Sequence, residues 1–243
     1  MGYGPVPPTV RTHRTLWTGW VETARAQASR GMRMNLDYYH FGPGFRRETG
    51  VWARGHFTGS GLPMRFVDEQ GRILGIFQQL TQLADEQLLN GYWGGIENID
   101  AEAALDVSHT LLEDSVGGIY TAICANFHVD SHHMGGRWMV EALRWFEGTL
   151  DLAATHNIPI ASALEWLLFN EARHAATLQA ITWDEGTRRL RYNLACPAGP
   201  RVDRTVMVPA QYRKYSLRQI EVNGSASTHH KCRVGSTEYA CVA

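Results

Sequence analysis

From Val116 to His133 the chain reads VGGIYTAICANFHVDSHH, two glycines and then a run of apolar and small residues from Ile119 to Phe127. The run stops abruptly at His128, Val129 and Asp130. An apolar segment of this length bounded by glycines predicts a strand buried on both faces, as in a parallel sheet. Residues two apart in extended backbone point to the same side, so His128 and Asp130 are expected to face one pocket. The carboxyl end of such a strand is where α/β folds carry their chemistry, and His132 and His133 follow at once. The alternative is that the pair closes the strand and hydrogen-bonds a neighbouring loop.

The rest of the chain follows the same strand–helix alternation. Thr9 to Thr12 predicts a short strand ending at His13 and Arg14, Val21 to Ser29 a helix closed by Gly31, and Met32 to Leu36 a second strand ending in Asp37. That is one βαβ unit, with His13 and Asp37 at equivalent strand ends. Gly42 to Pro63 is loop-like, with six glycines interleaved with Phe45, Trp52 and Phe57, and reads as a packed functional loop. Ser60 lacks the flanking glycine spacing of a nucleophile elbow. Arg65 lies on a short strand, Asp68 to Gly71 forms a turn, and Arg72 to Leu80 is a strand. Gln82, Asp85 and Glu86 sit at its end, where the two acids are either helix-start residues complementing the helix dipole or ligands. Asp100 caps a helix through Asp114, a helix runs from Arg137 to His156, and Ile158 to Ala161 reads as a short buried strand. Ser162 and Glu165 form a capping box for a helix from Ala163 to about Ala180. After Trp183 the period changes from helical to alternating. Residues 1–180 are therefore expected to form one α/β domain and residues 181–243 a small antiparallel β domain.

A length of 243 residues suffices for a large core, and a net charge of −1 argues against nucleic acid or an acidic membrane surface as partner. No run of 18 apolar residues predicts a membrane span, and the opening MGYGPVPPTV does not read as a signal peptide. Eight tryptophans and nine tyrosines suit a cleft that stacks on sugar rings or acyl groups as well as a core. The four cysteines form no CxxC pair, which argues against a cysteine zinc site. Cys124 is expected to be a buried thiol. A hairpin turning at Gly235–Ser236 places Cys232 opposite Tyr239 and Cys241 opposite His230, a register that does not favour a direct bridge.

The segments IYTAICANFHVD, the Arg137 helix, HNIPIAS and ALEWLLF occur in an order that resembles the last third of the polysaccharide deacetylase-like superfamily. RTHR resembles the family's metal-binding second motif, although Trp17 stands where a second His is expected. NLDYYHFGPG, FTGSGLPMRF and QQLTQLADE resemble a bacterial branch of secreted proteins with a similar β domain behind. The resemblance implies an incomplete (β/α) barrel, lacking the family's opening strand with its paired aspartates, followed by an antiparallel β domain. It also implies a His acting as general acid at the end of the apolar strand.

A site of this kind uses a divalent cation, zinc or calcium, to polarise a carbonyl and acidify water, with a carboxylate as base and an imidazolium as acid. His13, Asp37 and His128 are the candidate metal ligands. Asp37, His128 and Asp130 are the candidate catalytic residues, Asp130 as base or as orienter of His128, and His40 is a fallback ligand. Tyr39, Trp52, Arg65 and Gln82 are the candidate substrate contacts. The expected function is metal-dependent hydrolysis of ester or amide bonds, with carbohydrate-linked acyl groups, other acyl esters or lactones as substrates. The alternatives are a non-catalytic glycan-binding module with a degenerate barrel, or an interaction subunit whose barrel another chain completes. An open barrel edge exposes unpaired backbone groups, so a homodimer through that side is expected.

Overall fold

A computed structural model of the chain describes residues 4–12, 16–39, 44–46, 52–54, 61–89, 97–119, 121–129, 137–197 and 205–242. The fold is mixed α/β, and its contacts divide it into two compact units. The first comprises Met1–Ile160 with Arg233–Ser236, and the second Ala161–Cys232 with Thr237–Ala243. The second unit thus begins ahead of the helix that the sequence assigns to the first domain.

In the first unit β1 (Thr9–Val10), α1 (Glu22–Ser29) and β2 (Met34–Tyr39) make the expected βαβ unit, with β1 and β2 parallel. Gly31, at φ +85°, ends α1 in a conformation that suits a residue without Cβ. The loop-like stretch contains β3 (Gly44–Arg46) and β4 (Trp52–Arg54), paired antiparallel. Next come β5 (Met64–Val67) and β6 (Ile73–Thr81), joined through a turn in which Asp68 Oδ1 accepts from the N–H groups of Gln70 and Arg72. The sheet order is β1-β2-β6-β5, with β2 and β6 parallel and β5 antiparallel to β6. Beyond Gln82 the chain continues as β7 (Leu83–Ala84), which pairs in parallel with β8 (Ala125–Asn126). The registers Val10↔Asn35, Tyr39↔Thr81 and Ala84↔Asn126 set four successive parallel segments side by side. Among the described residues the strands do not close into a barrel.

From Ile76 onward β6 is buried at every position, yet Gln78, Gln79 and Thr81 are polar. Buried amides must find partners inside the protein. Gln78 Nε2 donates to Asn35 Oδ1, Gln79 Nε2 to the carbonyls of Gly61 and Leu80, and Thr81 Oγ1 to the carbonyl of Leu36. Asn35, itself fully buried, donates to Gln27 and Asp37 and accepts from the Asp37 N–H.

Leu83, Leu88, Leu89, Ala101, Ala104, Leu111, Ala142 and Trp145 form one buried cluster, against which Phe127 and Phe146 stack at 4.5 Å. It is built by the short α2 (Asp85–Leu88), by α3 (Ala101–Asp114) and by α4 (Arg137–Thr155). Asp100 caps α3 as expected, its side chain accepting from the Ala103 N–H, and Glu141 of α4 accepts from the Ala101 N–H. The pairs Glu102–Arg144, Leu105–Gly148 and Ser108–Thr149 advance together, so α3 and α4 run in parallel.

Two expected strands differ. The apolar stretch contributes only Ala125 and Asn126 to a ladder, and its residues 121–124 are half-buried. The partner strand β7 is two residues long because the chain turns into α2 at Asp85, so nothing remains for a longer ladder to pair with. Ile158 to Ala161 forms no strand, and Ile160 is exposed. Pro159 has no N–H to give a ladder, and the preceding residues close α4 through Asn157 at φ +52°.

The second unit opens with α5 (Ala163–Ala175), whose capping box uses Ser162 and Glu165 as expected, although the helix ends five residues early. It continues as antiparallel pairs: β9 (Thr177–Asp184) with β10 (Arg189–Ala195), β12 (Gln211–Tyr212) with β13 (Tyr215–Ser216), and β14 (Ile220–Val222) with β15 (Ser225–Ser227). In a three-stranded sheet, β17 (Thr237–Val242) lies between β11 (Val206–Pro209) and β16 (His230–Val234). The Cys232 and Cys241 sulfurs are 2.8 Å apart, and both are free thiols. The hairpin register makes them diagonal neighbours, and the twist of a β ribbon brings such neighbours on one face together. Burial, with Cys232 beside it, pushes the Cys241 thiol up to about 11.

Among the described glycines of the first unit, Gly61 is held closest to neighbouring backbone. It sits at φ +61°, and a Cβ there would lie 2.2 Å from both Ala122 O and Thr121 Oγ1. Gly61→Ala is expected to cost roughly 2–4 kcal/mol through backbone clash and left-handed strain. Chemical denaturation followed by Trp fluorescence measures it.

Candidate functional site at the carboxyl ends of the parallel strands

Asp85 is the first residue after β7 and is fully buried. Its carboxylate reaches across to the end of β8. Oδ2 accepts from the His128 N–H at 2.7 Å, and Oδ1 lies 2.8 Å from His128 Nδ1. Oδ1 also accepts from the Glu86 N–H at 2.9 Å. Glu86 Oε2 is 3.2 Å from the same imidazole nitrogen and accepts from Asn126 Nδ2 at 3.4 Å. One potential ligand atom from each of Asp85, Glu86 and His128 lies within 4.8 Å of the others, a group that could hold a metal ion. His109, Glu113 and His156 meet the same spacing elsewhere in the first unit.

Arg11, just past β1, ties this group to the rest of the row. Its guanidinium donates to the Leu36 carbonyl and to Thr81 Oγ1, and it stands 3.6 Å from Glu86 Oε1. A half-buried arginine beside two adjacent carboxylates offsets part of their mutual repulsion. Burial raises Asp85 to about 6; the Glu86 carboxyl adds to the rise, while the N–H and ring of His128 oppose it. The group therefore carries excess negative charge that either a proton or a cation relieves.

Of the candidate site residues singled out in the sequence, the structure brings His128 into this group and places the other described ones apart from it. His128 stands at the expected strand end and belongs to the group. Asp37 stands at the end of β2, but its carboxylate is taken up by the Thr12 N–H at 2.5 Å, by Thr12 Oγ1 at 2.9 Å and by Asn35 Nδ2 at 2.8 Å. Gln82 is buried, with Nε2 on the Ala122 carbonyl and Oε1 on the Cys124 N–H, so its amide stitches the β6–β7 junction to the segment before β8. Arg65 lies 4.4 Å above the Phe77 ring and donates to the Leu74 carbonyl. Tyr39 and Trp52 lie in β2 and β4. His13, His40, Ser60, Asp130, His132 and His133 lie outside the described residues.

The sequence supplied a signal for Asp85 and Glu86, an acidic pair at a strand end, but it could not tell helix-start acids from ligands. Both acids begin α2, and Asp85 also holds His128 through its backbone N–H and its ring. Arg11 had no signal, because a single arginine after a two-residue strand carries no pattern.

Folded Asp85 holds its proton to about 6 against an ordinary value of 3.8. Between those values the folded state binds more protons than the unfolded one, so this group's contribution to stability falls as pH rises from about 4 to 6 and is level above. In chelator-treated protein, Asp85→Asn should flatten that part of the stability–pH curve, as read by denaturation midpoints. Metal binding displaces the proton, so affinity for a divalent cation should weaken as pH drops through 6, measured by calorimetric titration. Comparison with known proteins finds no matching family model, no matching curated protein and no matching solved structure.

Proposed function

We propose that the chain is a metal-dependent hydrolase of ester or amide bonds, with carbohydrate-linked acyl groups as the leading substrate class. In this reading the first unit is an incomplete (β/α) barrel of the polysaccharide deacetylase type, and the β strands of the second unit form the appended antiparallel domain. The single observation that carries it is the Asp85–Glu86–His128 group at the end of a row of parallel strands.

The donor set fits a divalent cation. Two carboxylates and one imidazole suit zinc better than calcium, which prefers an all-oxygen shell. Asp85, Glu86 and His128 would hold it, in place of the proton that Asp85 carries below about pH 6. A cation bound there supplies Lewis-acid polarisation of the acyl carbonyl. Glu86 is 24% exposed in its side chain against 0% for Asp85, so Glu86 faces the substrate side and Asp85 the protein. Asp85 orients the imidazole through two contacts, at ring and backbone. Arg11 holds Glu86 and restrains the strand ends against movement. Asp37, saturated by Thr12 and Asn35, acts as the strut between β1 and β2 rather than as a ligand. Asp130, two residues beyond His128, is the base that takes the proton from water.

The test uses 4-nitrophenyl acetate and acetylated oligosaccharides, with zinc restored after chelation. The wild type should turn over. Asp130→Asn should lose about 10²–10⁴-fold in kcat while keeping the metal. His128→Ala should lose both metal and turnover with the fold retained by circular dichroism. Absence of turnover with saturable oligosaccharide binding would point instead to a non-catalytic glycan-binding module. The homodimer proposed for the open sheet edge predicts a doubled mass by light scattering at micromolar concentration, and a strictly monomeric mass would end that part of the reading.

A further inference from the structure

The second group of potential ligands does not belong to the site just described. His109 and Glu113 are one turn apart on α3, with His109 Nε2 3.1 Å from Glu113 Oε1. His156 follows the last residue of α4, and its ring centroid is 5.9 Å from that of His109. One ligand atom from each of the three lies within 4.8 Å of the others.

Surface side chains often meet by chance, so the question is whether the backbone holds these three in place. At His109 and Glu113 it does, because both lie inside a regular helix capped at Asp100. At His156 it does as well. The Asn157 N–H donates to the Ala154 carbonyl and the Ile158 N–H to the Ala153 carbonyl, with Asn157 at φ +52°. This is a Schellman closure with His156 at the cap, so its backbone is fixed rather than loose. The two helices are locked to each other one turn away. Trp145 Nε1 and Thr149 Oγ1 both donate to Ser108 Oγ at 3.0 Å, and Gly148 leaves room for Leu105 to approach. The neighbour of that tied serine is His109. Only side-chain rotamers remain to be ordered on binding, which is the condition for a preorganised site.

We propose that His109, Glu113 and His156 form a second divalent transition-metal site, separate from the Asp85 group. Two imidazoles and one carboxylate on a partly exposed surface are a donor set for zinc, nickel or copper and a poor one for magnesium or calcium. Three protein ligands leave coordination positions to water, so the site exchanges its metal with solvent. Its effect is to clamp the end of α4 to the second half of α3. That helix passes into a π turn at Ser115–Ile119, broken at Gly118, ahead of β8 and His128 in the chain. Binding therefore raises the stability of the folded first unit by mass action, without requiring any turnover.

The test is zinc equilibrium dialysis on the whole chain after chelation, with metal counted by atomic emission, beside copper loading read by electron paramagnetic resonance. Five proteins are compared: wild type, His109→Ala, His156→Ala, Glu113→Gln and the double variant Asp85→Asn/His128→Ala. Removal of His109 or His156 should each lower the count by one equivalent and simplify the nitrogen hyperfine pattern. Asp85→Asn/His128→Ala should leave this equivalent and its spectrum in place, whether or not the other site binds metal or the chain turns over substrate. Glu113→Gln should weaken binding at least about tenfold without abolishing it. His109 sits mid-helix on the surface, so its variant reads the same site even if His156→Ala disturbs the helix end. An unchanged count in His109→Ala, or an equivalent that disappears only with Asp85 and His128, overturns the proposal.

Discussion

The constraint on which the first unit depends is the burial of a row of polar side chains between parallel strands. Asn35, Asp37, Gln78, Gln79, Thr81, Gln82 and Asp85 are all buried. Once water is excluded, each must be satisfied by the protein or carry a penalty of about 1–3 kcal/mol per orphaned group. That requirement fixes the register more tightly than apolar contact can. A slip of one residue along β2 would take Asn35 away from Gln27 and Gln78 at once and break the bonds that join these three amides. The same networks explain why very short segments suffice. β1 and β8 have two residues each, yet Asp37 grips Thr12 beyond the end of β1, and Gln82 grips Ala122 and Cys124 ahead of β8.

Within that row Asp85 stands apart, because burial beside a second carboxylate raises its carboxyl to about 6. It accepts from two N–H groups and meets the imidazole, yet it is fully buried with a second carboxylate next to it in the chain. Fold and candidate chemistry are thus linked. The parallel register sets the ends of β7 and β8 side by side, the chain turns into α2 at that point, and the turn leaves two acids facing one histidine. A protein that needed only a stable strand end would do better with Asn at position 85, since an amide can satisfy a backbone N–H without the cost of a buried charge.

What was legible in the sequence was local. The βαβ unit, the Asp68–Gly71 turn, the Asp100 cap and the Ser162–Glu165 box all come from short-range chemistry, and the structure has each of them. His128 at a strand terminus was legible too, because the change from apolar to polar is abrupt. Its neighbour Asp85 was visible only as an acid at another strand end. Their meeting depends on the β7–β8 pairing, a contact 43 residues apart that no local pattern encodes. The long apolar strand failed for a related reason. Apolarity from Ile119 to Phe127 marks a partly buried segment, but a ladder also needs a partner, and β7 offers two residues. Ile158 and Ile160 looked like a strand, while Pro159 and the helix closure before it decided otherwise.

The most direct test of the link between strand register and chemistry is an anomalous-difference map from crystals loaded with zinc at pH 7. The expected result is a peak within bonding distance of carboxylate oxygens of Asp85 and Glu86 and of the His128 ring, with Arg11 beside Glu86. An electron-density map in which His128 stands apart from both acids, or strong zinc peaks at other residues with none at this group, would contradict it.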